Sequence, residues 1–228
     1  MKLSVIIPVY NEEKTIEEVI EKVRNVPVEK EIIVVDDGST DRTVNILKKI
    51  ESKNYKDVKI IFKKKNEGKG SAIREGLKKV KGDVVVIQDA DLEYEPMDWL
   101  KMLKVMEEKK AYVVYGSSVL SKSKKSSFAF YLGGRILSAI TNFLYQAGIT
   151  DEPTCYKMFR REVIENINLR CKGFEFCPEI TAKVRKKGYK IYEVPIQYLP
   201  RSVKEGKKIR WKDGLIAIWT LIKYRFID

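Results

Sequence analysis

Four short runs rich in β-branched residues constrain this chain more than anything else in it: Leu3–Val9, Glu31–Val35, Val58–Phe62 and a run beginning at Val84. Stretches that stay apolar at consecutive positions suit strands buried on both faces. Between them, apolar residues recur at helical spacing: Ile16, Val19, Ile20 and Val23; Val44, Ile46, Leu47 and Ile50; Ile73 and Leu77; Trp99, Leu103 and Met106. A fifth run, Tyr112–Tyr115, follows the last of these. Strands alternating with helices at such short spacing predict an α/β layer on a mostly parallel sheet flanked by helices. Ligands of such sheets bind beyond the carboxyl ends of the strands.

The fourth run stops in carboxylates: Gln88-Asp-Ala-Asp-Leu-Glu-Tyr-Glu95, with Pro96 as the start of the next helix. Residues two apart in an extended segment point the same way, so Asp89, Asp91 and Glu93 are expected on one side. Like charges that close resist joint ionisation unless a cation sits among them. Hard oxygen ligands at a strand end suit Mg²⁺ or Mn²⁺, above all one that also holds phosphate. The plainer alternative is a βα loop whose aspartate caps a helix. Two further turns, Asp36–Asp41 and Asn66–Ser71, fall at the same edge, and that convergence favours a site.

The 228 residues carry a formal net charge of +13, which calls for an anionic partner. There is no histidine, and Cys155, Cys171 and Cys177 form no CxxC pair, so Ser-His-Asp and Cys-His catalysis are excluded and zinc is disfavoured. The basic residues crowd the C-terminal half beside apolar helices with no nucleic-acid module, so no nucleic acid is expected as partner. The chain enters its first strand at once, leaving no room for a targeting segment, and a cytoplasmic setting is expected.

After Gly116 the character changes. Ser121–Ser127 is polar and basic, and Phe128–Ile149 is apolar with Arg135 as its single charge. Arg135, Asn142 and Gln146 make insertion across a bilayer costly, so a helix lying on a membrane surface or on the sheet is expected. Tyr156–Phe159 reads as a strand, Glu175–Lys186 as a helix, and Ile191–Tyr198 as a strand with Pro195 at a sheet edge. In Lys207–Asp228, Trp211, Leu215, Ile218, Ile222 and Phe226 share one helical face with basic flanks. That is the pattern of an interfacial helix, a final helix packed on the domain being the alternative. The chain therefore divides into a domain over 1–200, with 128–149 as an acceptor-side helix, and an amphipathic segment over 201–228.

Four segments now stand together: Ile7-Pro-Val-Tyr-Asn-Glu12, Val35-Asp-Asp-Gly-Ser-Thr-Asp41, Asn66-Glu-Gly-Lys-Gly-Ser71 and Gln88-Asp-Ala-Asp-Leu-Glu93. In these the chain resembles the inverting glycosyltransferases of family 2, and within them the polyprenol-phosphate sugar synthases, those making dolichol-phosphate mannose or glucose. The resemblance implies a GT-A fold and transfer of a hexose from a GDP-mannose or UDP-glucose type donor to polyprenyl (dolichyl) phosphate, with Mg²⁺ or Mn²⁺, as a peripheral protein on the cytoplasmic face of a membrane. It implies that Pro8, Tyr10 and Glu12 line the nucleoside pocket, that Asp37 accepts from a base edge, and that Gly68, Lys69 and Gly70 meet phosphate. Gly68 and Gly70 alone are as easily a tight turn. Asp89 and Asp91 match the DxD motif as metal ligands and catalytic residues, Asp91 foremost, with Glu93 a third carboxylate that binds the cation more tightly or else faces away. Arg135 and Arg201 match arginines that hold the acceptor phosphate.

The chain also departs from that family. Asp151-Glu-Pro-Thr-Cys-Tyr-Lys157 carries Cys155 in a glycine place, and Gly116-Ser-Ser118 lacks the arginine many members have after the fifth strand. Lys122, Lys124 or Lys125 is the expected replacement, as a point charge. A lipid phosphate is already ionised and needs no general base, which fits a chain without histidine. Transfer to a glycan or protein hydroxyl would need one, for which Glu175 and Glu179 are the candidates. A nucleotide-sugar-binding scaffold without turnover is the remaining rival. Oligomeric state is not legible.

Overall fold

The computed structural model describes residues 1–121, 127–201, 206 and 208–227. Lys122, Lys124, Lys125 and Lys207 lie outside the described residues. Seven strands form one sheet: β1 (Leu3–Val9), β2 (Lys30–Asp36), β3 (Val58–Phe62), β4 (Val84–Ile87), β5 (Val113–Ser117), β6 (Lys157–Arg160) and β7 (Ile191–Pro195), in the order β3-β2-β1-β4-β6-β5-β7. All neighbours run parallel except β6, which is antiparallel to both β4 and β5. The order runs outward from β1 through β2 to β3, and the chain then returns to place β4 on the other side of β1. Such a reversal of strand order is where a crevice is expected, at the carboxyl ends of β1 and β4.

β1 and β4 are buried along their whole length, as unbroken apolar runs demand. Helices α1 (Ile16–Asn25), α2 (Thr43–Ser52) and α4 (Trp99–Glu108) cover one face, and Trp99, Met102, Ile16 and Leu47 join Val5, Ile7 and Val86 in its core. Helices α3 (Lys69–Leu77), α6 (Arg161–Glu165) and α7 (Phe176–Lys186) cover the other, through Ile73, Val163, Phe176 and Ile180. Pro96 opens a short 3-10 turn, where Glu95 accepts the Met97 amide before α4.

The antiparallel β6 has a traceable cause. β5 ends at Ser117, and the chain is still at the same edge at residues 150–151. There the Ser117 and Thr150 hydroxyls lie 2.7 Å apart, and the Ser118 amide donates to Asp151 at 2.9 Å. A strand that re-enters the sheet from the carboxyl edge can only run backwards. Between these points stands α5 (Phe128–Tyr145), shorter than the apolar stretch that encodes it. Gln146 (φ 50°) and Gly148 (φ 67°) adopt left-handed backbone, and the Asn142 amide both accepts from and donates to the Ile149 main chain. The apolar run thus ends in a capped turn.

The last helix, α8 (Trp211–Phe226), packs on α5 and α7 through Ala217, Leu221 and Tyr224 against Leu137, Tyr145 and Ala182. The outward faces of α5 and α8 stay apolar: Phe128, Leu132, Ile136 and Phe143 on one, Trp211, Leu215, Trp219 and Phe226 on the other are all exposed. No helix among the described residues is long and apolar enough to cross a membrane. β7 is an edge strand that stops at Pro195; beyond it the pairing is an isolated β-bridge between Tyr198 and Tyr94.

Candidate active site

The acidic loop after β4, the turn after β1 and the chain beyond β7 meet at the crevice. Asp91 accepts from Arg201 at 2.7 Å, and the same guanidinium forks across Glu12, with 3.1 Å to each oxygen. Glu93 accepts from the Arg201 amide at 2.9 Å and from the Tyr198 hydroxyl at 2.7 Å. Glu12 also receives Lys208 at 2.6 Å, and Lys208 reaches on to the Tyr10 carbonyl. Two cations from beyond the last strand therefore hold three carboxylates from the first and fourth strand ends.

Asp89 turns elsewhere. It pairs with Lys69 at 2.5 Å, and Lys69 also lies 3.7 Å from the Cys155 sulfur. The alignment expected along the loop is thus broken: Asp89 takes Lys69, while Asp91 and Glu93 share Arg201. Among the described residues no group of three acidic, cysteine or histidine side chains converges on one point to hold a metal. Glu93 instead tethers the chain beyond β7. Burial and the facing charges of Asp89 and Glu93 push the Asp91 carboxyl up to about 7, Arg201 pulling it only part of the way back. One or two hard oxygens in such a setting fit a divalent ion that completes its shell with water and phosphate.

The glycine-rich turn differs from expectation in a way that explains its glycines. The Gly70 and Ser71 amides, in the first turn of α3, already donate to the carbonyls of Gly173 (3.2 Å) and Lys172 (2.9 Å). A Cβ at Gly68 would sit 2.5 Å from the Lys172 oxygen, and one at Gly70 2.7 Å from the Cys171 oxygen. Close approach of a second backbone uses these glycines, and of the expected phosphate contacts the Lys69 ammonium is what still faces Asp89.

Asp37, expected to face a base edge, puts both oxygens on the same turn. It accepts the Glu67 and Gly68 amides, the latter at 2.7 Å, and pairs with Lys63 at 2.5 Å. Its neighbour Asp36 takes the Ser39 amide on one oxygen and leaves Oδ1 buried with no hydrogen-bond partner. Asp37→Ala is therefore expected to cost stability, on the order of 3 kcal/mol for breaking a buried pair and stranding its amides. Urea unfolding checks this; an unchanged midpoint would remove Asp37 from the scaffold.

Arg135 is exposed and donates to the Thr150 carbonyl at 2.9 Å. α5 turns that position outward. Where the family has its arginine, Ser118 gives both its amide and its hydroxyl to Asp151. Glu175 and Glu179 accept main-chain amides at 170–173, Glu179 being fully buried and paired with Lys183. Both oxygens of Glu179 are taken up in this way, whereas Glu175 accepts through Oε1. Pro8 lies within buried β1, and Tyr10 and Glu12 follow at its end. The sequence reading missed Lys63, Lys208 and segment 170–173. Only Lys63 carried a signal, a lysine directly after a strand facing a turn with two aspartates.

The profile described as glycosyl transferase family 2 matches residues 4–167. The chain belongs to that family. It is 33% identical over 213 residues to a dolichol-phosphate mannosyltransferase of Pyrococcus furiosus, covering 91% of this chain and 59% of that one. It is 32% identical to a UDP-N-acetylglucosamine–dolichyl-phosphate N-acetylglucosaminyltransferase of Methanococcus voltae, covering 90% and 89%. A low-salt glycan biosynthesis hexosyltransferase of Haloferax volcanii is 29% identical and is spanned to 53% of its length. Two of these three family members are thus much longer than this chain. The fold matches glucosyl-3-phosphoglycerate synthase from Mycobacterium tuberculosis in complex with Mn²⁺, UDP and glucosyl-3-phosphoglycerate, with a TM-score of 0.75 at 20% identity over all of this chain and 81% of that one. The GT-A architecture of this family 2 chain is thereby established.

Proposed function

We propose that this family 2 glycosyltransferase moves a hexose from a nucleoside diphosphate donor to a polyprenyl (dolichyl) phosphate, with inversion, at the cytoplasmic face of a membrane. The observation that carries it is the pairing of an acidic crevice, bridged by Arg201 and Lys69, with a layer of two helices whose outer faces are apolar. In the reaction the acceptor phosphate oxygen bonds to the anomeric carbon as the bond from that carbon to the diphosphate breaks. No proton has to be removed from the acceptor, and Glu179, held by two amides and Lys183, is not free to remove one.

The residues divide by what they meet. Tyr10 and Glu12 flank the nucleoside, Lys69 offsets charge on the leaving diphosphate, and Asp89 and Asp91 would hold Mg²⁺ or Mn²⁺. That ion, when bound, supplies Lewis-acid stabilisation of the leaving group. Arg135, exposed on α5 with a free side to its guanidinium fork, meets the acceptor phosphate. Arg201, whose guanidinium is held by Glu12, Asp91 and Glu93, is the second arginine assigned to that phosphate. The structure of the M. tuberculosis neighbour holds Mn²⁺ with UDP, which lends support to the ion.

Incubation with a panel of nucleotide sugars and a short polyprenyl phosphate, followed by mass spectrometry, tests the reading. A lipid-linked hexose phosphate is expected; hexose appearing only on added glycan or peptide hydroxyls would overturn it. The exposed aromatic stripes make a second expectation. The protein should sediment with anionic vesicles, less so as salt rises, since lysines and arginines flank α8. Absence of sedimentation at low salt would remove the membrane from the proposal.

A further inference from the structure

Segment 170–173 touches no expected substrate, yet the structure fastens it from two sides. Toward α3, its carbonyls take the Gly70 and Ser71 amides, and a Cβ at Gly68 would meet the Lys172 oxygen, so the backbone on either side of Lys69 lies against it. Phe174 extends the contact, its ring centre 5.8 Å from the Lys69 nitrogen. Toward α7, the Arg170 and Cys171 amides donate to the two oxygens of Glu179 at 2.7 and 2.8 Å. Glu179 accepts Lys183 at 2.8 Å, and Lys183 in turn bonds the Asn168 carbonyl and lies 4.3 Å from the Tyr224 ring centre on α8. Burial works to raise the Glu179 carboxyl, but Lys183 and the two amides outweigh it and hold it below the usual range. A buried, ionised carboxylate spanning two consecutive amides fixes a loop far more tightly than apolar contact alone.

We propose that Glu179 is a positioning residue, acting through segment 170–173 to set Lys69 against Asp89 and the donor diphosphate. The inference rests on the reading of Lys69 as the cation that meets that diphosphate. Lys69 is the first residue of α3, between two glycines whose missing side chains let the segment press on the turn. A displacement of the segment is passed directly to the Lys69 backbone. Displacements near 1 Å are enough to lower activity by as much as about a hundredfold.

The test is a double-mutant cycle read by calorimetry of UDP and GDP binding in the presence of Mn²⁺, at a temperature where circular dichroism shows every variant folded. Glu179→Gln is expected to weaken nucleotide binding on the order of tenfold, as is Lys69→Met. The double variant should bind no more weakly than Lys69→Met alone, because both changes act through one group. Gly70→Ala, which pushes on the same contact from the other side, should reproduce the Glu179→Gln effect and its non-additivity. It also decides the matter if Glu179→Gln does not fold. Full affinity in folded Glu179→Gln or Gly70→Ala, or losses that simply add to that of Lys69→Met, would overturn the proposal. Full affinity in Lys69→Met would overturn the diphosphate role of Lys69 and the inference with it, a result distinct from failure at Glu179.

Discussion

Asp91→Ala is expected to abolish hexose transfer, by roughly a thousandfold or more in kcat, while nucleoside binding falls much less. The carboxylate is the most crowded in the crevice, facing Asp89 and Glu93 with Arg201 as its cation. Charge that develops on a leaving diphosphate is stabilised most by groups fixed in place beforehand, and loss of one such group typically costs about 10²–10³ in kcat. Removing an ion as well adds to that. EDTA should do the same to the unaltered protein, reversibly with Mn²⁺. Full turnover in EDTA would sink the metal role of Asp89 and Asp91 together.

The second large effect is expected at Arg201. One guanidinium bridges Glu12, Asp91 and Glu93, so Arg201→Ala leaves three carboxylates facing one another with Lys208, on Glu12, as the remaining cation among the described residues. Stripping one partner from a buried pair costs about 3–5 kcal/mol; here about 2–3 kcal/mol is expected because the guanidinium is partly solvated. Added Mn²⁺ should recover part of it, which a thermal melt with and without the ion will read. Catalysis should fall about ten- to a hundredfold in kcat/KM for donor and acceptor alike. Arg135→Ala, by contrast, should raise KM for the polyprenyl phosphate and leave donor affinity intact. Arg201→Lys should rescue only in part, since the planar fork is lost. A normal melt and normal donor KM in Arg201→Ala would place that side chain outside the crevice in solution.

Much of this was legible in the chain. The strand runs and helical spacings place β1 to β4 and their helices, because continuous apolar stretches have few other places to go. Four short motifs after strands point to the correct edge and family. The partners of the side chains were not legible. Asp37 and Asp89 look equivalent as acids at strand ends, yet one meets a turn 30 residues on and the other meets Lys69. The reversal of β6 depended on where a long excursion through α5 returned. That Arg135 stands on the outward side of α5 was not legible either, because hydropathy counts neighbours in sequence, while exposure depends on which side of a helix faces outward. Glu179 looked like a candidate base because a carboxylate buried on backbone amides has no sequence signature.

One recurrent feature bears on temperature. The loops at the functional edge are fastened by carboxylates to main-chain amides: Asp37 at 67–68, Asp98 at Gln197, Asp151 at Ser118, Glu175 and Glu179 at 170–173, Glu193 at 150–151. The cost of taking charge out of water falls as temperature rises, while apolar burial per unit area levels off. A crevice framed by such bonds keeps its shape in heat that would loosen one framed by leucines.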